Sequence, residues 1–219
     1  MNPRITVRNI ASPQRWGPAR AGAWHHILPF SLLRDVWNRL VDRHIESQIP
    51  EARVALRQYL LLLDRSLPGA DSLIDRMRAE NTGQRRAGHN TLQPLTVSEA
   101  HQLATAAVWP PWNTVEGPAR RSDDPGDTYF DRFTSGLTAE ESARMLTIER
   151  LFRQLNSFIQ SGPVPSAGSL AQLTQSVLAA RPALACDRPI AYRPEMWVQD
   201  AGGLWRKRRD GEAYTAAAG

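Results

Sequence analysis

The sequence predicts a mainly α-helical fold with a few short strands, an α+β arrangement in a single domain of 219 residues. Apolar residues recur at the three-four spacing of a helix in several segments, and two of these segments open on a capping box. A possible hairpin near the C-terminus supplies strands. With 42% hydrophobic residues, a chain of this length can bury one good core or two small ones.

The N-terminal half predicts an extended arm followed by three helices. Residues 1–22 are rich in Arg, Pro and Gly, which favours the arm. Ser31 can cap the first helix, whose apolar stripe is Leu33, Val36, Trp37, Leu40, Val41 and His44. Its position on that stripe favours His44 as a core histidine over a ligand. Further helices are predicted over 51–65 and 71–80, so that 31–80 forms a segment of three helices.

The C-terminal half predicts three more helices. Thr96 and Glu99 match a capping box, which predicts a helix over 98–107. Thr138 and Glu141 match another and open the clearest helix of the chain, with Met145, Ile148, Phe152, Leu155 and Ile159 on one face. The last helix is predicted over 169–180.

The end of the chain combines a proline stop, a hairpin and a run of basic residues. Pro182 is predicted to end the last helix. Residues 197–205 read as a possible hairpin, and the basic cluster 206–209 follows them. We therefore expect 195–219 to form a basic C-terminal hairpin and tail, frayed at its end.

Charge and cysteine content narrow the classes of partner. The net charge is +5, the sequence pI is near 10.1, and Lys207 is the only lysine. Arginine binds phosphate bidentately, which favours a nucleic-acid partner, although a genome rich in G and C gives the same bias. The single cysteine, Cys186, excludes an internal disulfide.

Neither a membrane span nor an ordinary signal peptide is expected. The longest apolar run, at 59–63, is far shorter than the ~20 residues that a membrane span requires. The first four residues lack the apolar stretch of a cleaved signal peptide. The expected partners therefore do not include a membrane.

Two adjacent histidines, His25 and His26, stand before Ile27 and Pro29. Imidazole is the commonest metal ligand and titrates nearest neutral pH. In a strand the two rings would face opposite sides, whereas a turning backbone could bring both near one scissile bond. The alternative is a strand end with one exposed and one core histidine.

The segment His25-His26-Ile27-x-Pro29 resembles the first half of the HNH (His-Me finger, ββα-metal) nuclease motif. The resemblance is to the His-His form of bacterial secreted and polymorphic toxin nucleases. It implies that His25 binds a divalent metal ion and that His26 is the general base. It also implies a ββα-metal-like core, into which the helical segment 31–80 is inserted.

The motif needs a downstream Asn and a further metal ligand, and two places offer them. The segment around Asn113 is similar to the Asn-Leu-Val-x-x-Pro segment of some HNH-like toxins. Asp123 or Asp124 would then complete the ion's ligands, and Arg120 or Arg121 would hold phosphate. The alternative interpretation is structural: Asn113 is then a turn residue, and the segment 123–126 is a turn and helix-stop signal. We favour this place because Trp, Pro, Gly, Arg and Asp concentrate there without helical or strand periodicity.

The second place is His89-Asn90, which is similar to the Asn-Leu-Gln-x-Leu segment of the general HNH motif. His101 would then be the last ligand, on the following helix. A solvated helical residue is the other interpretation of His101, and the one that we favour.

These observations predict a metal-dependent endonuclease that acts as an antibacterial or secreted toxin. The implied cofactor is a divalent ion, Mg²⁺, Mn²⁺ or Zn²⁺. The implied partners are nucleic acid, with DNA favoured over RNA, and a cognate immunity protein. Such a bacterial toxin would reach its target cell's cytoplasm through a specialised secretion system. The alternatives are a non-enzymatic helical module that binds protein or nucleic acid and a metal-independent His/Asp hydrolase.

Overall fold

Six helices account for most of the structure, a computed structural model that describes residues 4, 13, 16, 18–47, 49–63, 69–79, 95–126, 129–186 and 188–213. Within those residues the helices are α1 Phe30–Glu46, α2 Pro50–Leu63, α3 Ala70–Ala79, α4 Val97–Val108, α5 Ala139–Gln160 and α6 Ala167–Leu184. Most of the predicted N-terminal arm and the end of the tail lie outside the described residues.

Four short strands form two small antiparallel sheets in the described part of the chain. Strand β1 Gly22–His26 pairs with β2 Thr114–Pro118 to form a two-stranded ribbon. Strands β3 Trp197–Gln199 and β4 Trp205–Lys207 form the predicted C-terminal hairpin. The fold is therefore mainly α with a few short strands, as the sequence predicts.

The apolar stripe of α1 is buried as predicted, and His44 lies 2% exposed with its Nε2 atom 3.0 Å from the Ile74 carbonyl. A satisfied core histidine is therefore the correct interpretation. The helix start was predicted wrongly. α1 begins at Phe30 after Pro29, and no side chain caps it.

Both predicted capping boxes are present and begin α4 and α5. The predicted stop at Pro182 is wrong, because α6 continues to Leu184. Pro182 leaves the carbonyl of Leu178 without its helical donor, but Leu178 is 40% exposed, so water reaches that turn.

One hydrophobic core joins the helices to the β1–β2 ribbon. α1 packs against α5, whereas α2 packs mainly against α6. Each helix thereby covers its single apolar face. No helix in the described part of the chain combines the length and apolar composition that crossing a membrane requires.

The ribbon is followed by a long irregular segment, and this segment positions the candidate site. The described residues from 119 to 138 contain no helix, and α5 begins only at Ala139. The C-terminal hairpin attaches to this segment through a parallel bridge between Arg121 and Trp205. On the other side of β2, Ile190 bridges to Val115 in parallel.

Candidate functional site

The β1–β2 ribbon brings the histidine pair next to Asn113 despite the helices between them in sequence. His25 is paired with Val115 and His26 with Thr114. One step further, the Ile27 N–H donates to the Asn113 carbonyl at 2.8 Å. The structure thus brings Asn113, in one of the two predicted places, to the histidine pair.

The side chain of Asn113 fixes the backbone that follows the histidine pair. Its Oδ1 atom accepts from the Leu28 N–H at 2.6 Å, and its Nδ2 atom donates to the Leu28 carbonyl at 3.2 Å. Asn113 is fully buried. A buried amide that is satisfied in both directions holds its partner in one place, so Asn113 acts as a positioning residue.

His25 presents a nitrogen lone pair to a carboxylate. Its Nε2 atom lies 2.9 Å from the Pro118 carbonyl, which can only accept, so the ring proton is on Nε2. The Nδ1 atom lies 3.9 Å from Oδ2 of Asp124, whose side chain is 48% exposed. Burial and the nearby Arg121 lower the pKa of His25, so the ring is neutral at pH 7 and Nδ1 is an acceptor.

His26 is held on the opposite face of β1. Its Nε2–H donates to the Val108 carbonyl, the last residue of α4, at 2.7 Å, and its ring lies 3.9 Å from that of Trp109. Burial lowers the pKa of His26 to about 4, although the hydrogen bond to the Val108 carbonyl acts in the opposite direction. His26 is therefore neutral at pH 7 and has its lone pair on Nδ1.

A buried group of charges lies beside His25. Arg121, with a fully buried side chain, donates to Asp131 at 2.7 and 3.2 Å and to Asp123 at 3.1 Å. Lys207 also donates to Asp131, which is 1% exposed. Burial raises the pKa of Asp123, but hydrogen bonds from the Lys207 main chain and Arg121 outweigh it and lower that pKa.

These contacts divide the residues predicted for the site into two groups. Arg121 and Asp123 bind each other and their buried neighbours, so neither is directed at a substrate. Arg120 is exposed, and Asp124 is half-exposed and uses its Oδ1 atom to accept from the Gly126 N–H at 2.9 Å. Arg120 and Asp124 are thus the predicted residues that remain accessible.

The donor set fits a divalent ion that keeps part of its water shell. The described residues contain no group of three His, Cys, Asp or Glu side chains placed to hold an ion, and His25 with Asp124 supplies two. Mg²⁺ usually keeps several waters and takes few protein ligands.

Trp197 packs over this site, and Gly117, which has no side chain, leaves space for the Trp197 ring. The ring of Trp197 lies 6.1 Å from that of His25 and 5.0 Å from the Arg121 guanidinium. A Cβ atom at Gly117 would lie 2.4 Å from Trp197 and 3.0 Å from His25. The close approach of Trp197 to His25 therefore requires glycine at this position.

Sequence reasoning missed Asp131, Trp197 and the role of Lys207 at this site. The sequence places Lys207 in a basic tail, although it is the only lysine of the chain and therefore differs from the arginines around it. Nothing in the sequence near Asp131 marks it as a buried partner of Arg121. The hairpin prediction could have suggested that Trp197 is placed by a strand.

The alternative site around His101 is only partly described. His101 is an exposed residue of α4, in agreement with the solvated interpretation, and His89 and Asn90 lie outside the described residues. Comparisons of the chain with protein-family models, with curated proteins and with solved structures gave no match.

Proposed function

We propose that the protein is a metal-dependent endonuclease that cleaves phosphodiester bonds of nucleic acid, with its ion at His25 and Asp124. The observation that carries the proposal is the distance of 3.9 Å between two acceptors, Nδ1 of His25 and Oδ2 of Asp124. Two ligands that each lie about 2.1 Å from an ion are between roughly 3 and 4.2 Å apart. A cation between the two atoms would replace the repulsion between their lone pairs with attraction to the ion.

The same geometry disfavours a metal-independent His/Asp hydrolase built on His25. In such a pair one imidazole N–H donates to the carboxylate and the other nitrogen takes a proton from the nucleophile. The Nε2 atom of His25 is occupied by the Pro118 carbonyl, and 3.9 Å exceeds a hydrogen bond to Asp124. His25 thus has no nitrogen left for a substrate when it faces Asp124.

His26 is the general base in this proposal. The resemblance to HNH nucleases implies this role. Because the Val108 carbonyl fixes the ring proton on Nε2 and the ring lies on the face of β1 opposite to His25, His26 can take a proton only through Nδ1 and only from a water on its own face of the strand. When bound, the divalent ion supplies electrostatic stabilisation of the phosphorane-like transition state and of the leaving oxygen. Asn113 holds the backbone after the pair, and Arg120 is the exposed cation available for phosphate.

The biological setting follows from the resemblance of the histidine segment to toxin nucleases. We propose an antibacterial or secreted toxin that a specialised secretion system delivers into the target cell. A nuclease with a net charge of +5 is neutralised most simply by an acidic immunity protein that covers the basic surface. DNA is the favoured substrate, with RNA as the second.

The first experiment is incubation of the purified protein with supercoiled plasmid and with a structured RNA. Mg²⁺, Mn²⁺ and Zn²⁺ are each tested with an EDTA control. We expect cleavage with at least one ion, loss of cleavage in EDTA, and loss in Asp124→Asn. The matched control is Glu140→Gln, whose carboxylate is 86% exposed on α5.

Three outcomes would contradict the proposal. Cleavage that persists in EDTA would favour a metal-independent hydrolase. Absence of cleavage with all three ions, in a protein that is folded, would favour the non-enzymatic helical module. Equal activity of Asp124→Asn and Glu140→Gln would remove Asp124 from the ion site.

A further inference from the structure

A cleft of about 400 Å³ opens beside the candidate site. It is lined by Arg20, Ala21, Pro118, Tyr192 and Trp205. Pro118 connects it to the histidine site, because this residue lines the cleft and its carbonyl accepts from Nε2 of His25. The cleft and the histidine site therefore share Pro118.

The walls of the cleft are joined by one buried carboxylate. Glu116, which is 7% exposed, accepts from the main-chain N–H groups of Arg20 and Ala21 through Oε1. Its Oε2 atom accepts from the Tyr192 N–H at 3.3 Å. Glu116 thus ties two distant segments of the chain together, and the cleft is preformed.

Trp205 is held in its wall from both sides. Its N–H donates to the Arg120 carbonyl at 3.4 Å, and its carbonyl accepts from the Ser122 N–H at 2.8 Å. Within β4 it is paired with Gln199. These contacts place an aromatic ring, which is partly exposed, at the edge of the irregular segment.

Positive charge at the cleft is not neutralised by neighbouring carboxylates. Arg20 lines the cleft, and Arg120 lies beside it, since its carbonyl accepts from the Trp205 N–H. Both arginines are exposed, and in the described part of the chain neither side chain has a carboxylate within salt-bridge distance. Arg206 and Lys207, by contrast, are paired with Glu212 and Asp131. The exposed positive charge is thus found where the aromatic side chains also lie.

We propose that this cleft binds one unstacked nucleotide of the nucleic-acid substrate, with its base against Trp205 and Tyr192 and a flanking phosphate at Arg20. Aromatic rings combined with arginines recognise single-stranded nucleic acid, since every base offers a face for stacking. A cleft of this size matches a small-molecule site and admits a single base, whereas a duplex is too wide. The inference rests on the proposed nuclease function and adds that the substrate is single-stranded or locally opened beside His25.

Binding is measured separately from cleavage, by fluorescence anisotropy of a fluorescein-labelled twelve-residue oligothymidine in EDTA. We expect Trp205→Ala to weaken binding roughly ten- to hundred-fold, and Trp205→Phe to retain most of the affinity because its ring still stacks. Arg20→Gln should weaken binding and reduce the slope of log K against log salt by about 0.7. Melting temperatures verify that each variant is folded.

The matched control for Arg20→Gln is Arg150→Gln, which makes the same charge change at an exposed position of α5 outside the cleft. Equal effects of the two variants would overturn the inference, as would wild-type affinity in Arg20→Gln. A labelled duplex that binds as tightly as the oligothymidine would do the same. If Trp205→Ala unfolds, the comparison of Arg20→Gln with Arg150→Gln and the comparison of duplex with oligothymidine test the inference without it.

The two proposals fail in different ways. If the wild-type protein cleaves with an ion but the cleft variants bind normally, the proposed nuclease function stands and the proposed nucleotide cleft is wrong. If the protein binds oligothymidine through Arg20 and Trp205 but never cleaves, the cleft stands as a nucleic-acid surface and the proposed nuclease function is wrong. The result expected for both is ion-dependent cleavage together with weaker binding in the cleft variants.

Discussion

The Nδ1 atom of His25 faces the Oδ2 atom of Asp124 across 3.9 Å, a distance too long for a hydrogen bond. The ring proton of His25 is on Nε2, where the Pro118 carbonyl holds it. Two acceptors at this distance repel each other unless a cation or an ordered water lies between them. The pair is therefore a candidate ion site, which can be tested by measuring ion binding.

The first prediction is that His25 and Asp124 bind a divalent ion. Isothermal titration with Mn²⁺ should show one site in the wild type, and His25→Gln and Asp124→Asn should each remove it. Because its pKa is lowered, His25 is already neutral at pH 7.5. Binding should therefore release almost no proton, which titrations in buffers of different ionisation enthalpy will measure.

The control for ion binding is Glu140→Gln, at a surface carboxylate. Binding of Mn²⁺ that is equal in Asp124→Asn and in the wild type would contradict the first prediction. So would release of a full proton at pH 7.5, since it would mean that His25 is charged before the ion arrives.

The second prediction concerns Asn113. Asn113→Ala leaves the N–H and the carbonyl of Leu28 without their partners in a buried place, so we expect unfolding to become easier by roughly 2–4 kcal/mol. Urea unfolding measures this. The control is Asn156→Ala, whose amide donates to Phe152 within its own helix, α5, and whose replacement should cost less than about 1 kcal/mol. Similar costs for the two variants would contradict the positioning role.

How much of this site was predictable from sequence is clearest at Asn113. The density of Trp, Pro, Gly, Arg and Asp around it was enough to favour its place over that of Asn90. The pairing of β1 with β2 was not predictable in the same way. The strands are only five residues long, and a helical segment separates them, so no local pattern specifies their register.

The helices were predictable because their signals are local. The capping boxes at Thr96 and Thr138 and the stripe of α1 each lie within a few residues of the element that they specify. The buried charges were not, because Arg121, Asp131 and Lys207 meet only after the C-terminal hairpin has docked on the irregular segment. An arginine in a loop looks the same in sequence whether it is buried or facing phosphate.

The third prediction tests the close approach of Trp197 to His25. Gly117→Ala places a methyl group 2.4 Å from the Trp197 ring, so the ring or the strand has to move. We expect a loss of roughly 1–3 kcal/mol in the free energy of unfolding and a changed near-ultraviolet circular dichroism signal. The control is Gly168→Ala in α6, where the nearest atom is 3.8 Å away. Helix propensity should there raise stability by up to about 1 kcal/mol, and a stable Gly117→Ala would show that the contact is dispensable.

The fourth prediction concerns the buried charges. Asp131→Asn removes the carboxylate that neutralises Arg121 and Lys207, and leaves a fully buried guanidinium underpaired. We expect a loss of roughly 3–5 kcal/mol on chemical unfolding. Asp210→Asn, at an exposed aspartate, should change stability by less than about 0.5 kcal/mol. A small effect at Asp131 would mean that the cluster is not a unit of the fold.

The fifth prediction concerns His26, whose neutral form is favoured in the folded protein. Its pKa in the folded state is lowered to about 4, below the ordinary value of 6.5, so the unfolded chain takes up a proton first as the pH falls. The contribution of His26 is therefore complete above pH 6.5 and is lost progressively down to about pH 4, by roughly 2–4 kcal/mol. Urea unfolding between pH 7.5 and pH 4 measures this loss. His26→Gln should lack it, and His101→Gln, at an exposed residue of α4, is the matched control for removing an imidazole.

The same His26 variants separate catalysis from stability. His26→Ala removes the hydrogen bond to Val108 and the contact with Trp109, so we expect it to lose both stability and cleavage. His26→Gln offers an N–H to the Val108 carbonyl but cannot accept a proton at pH 7.5. It should melt close to the wild type and cleave about 10²–10⁴-fold more slowly. A glutamine variant that melts with the wild type and cleaves at its rate would show that His26 holds α4 against the ribbon and takes no proton.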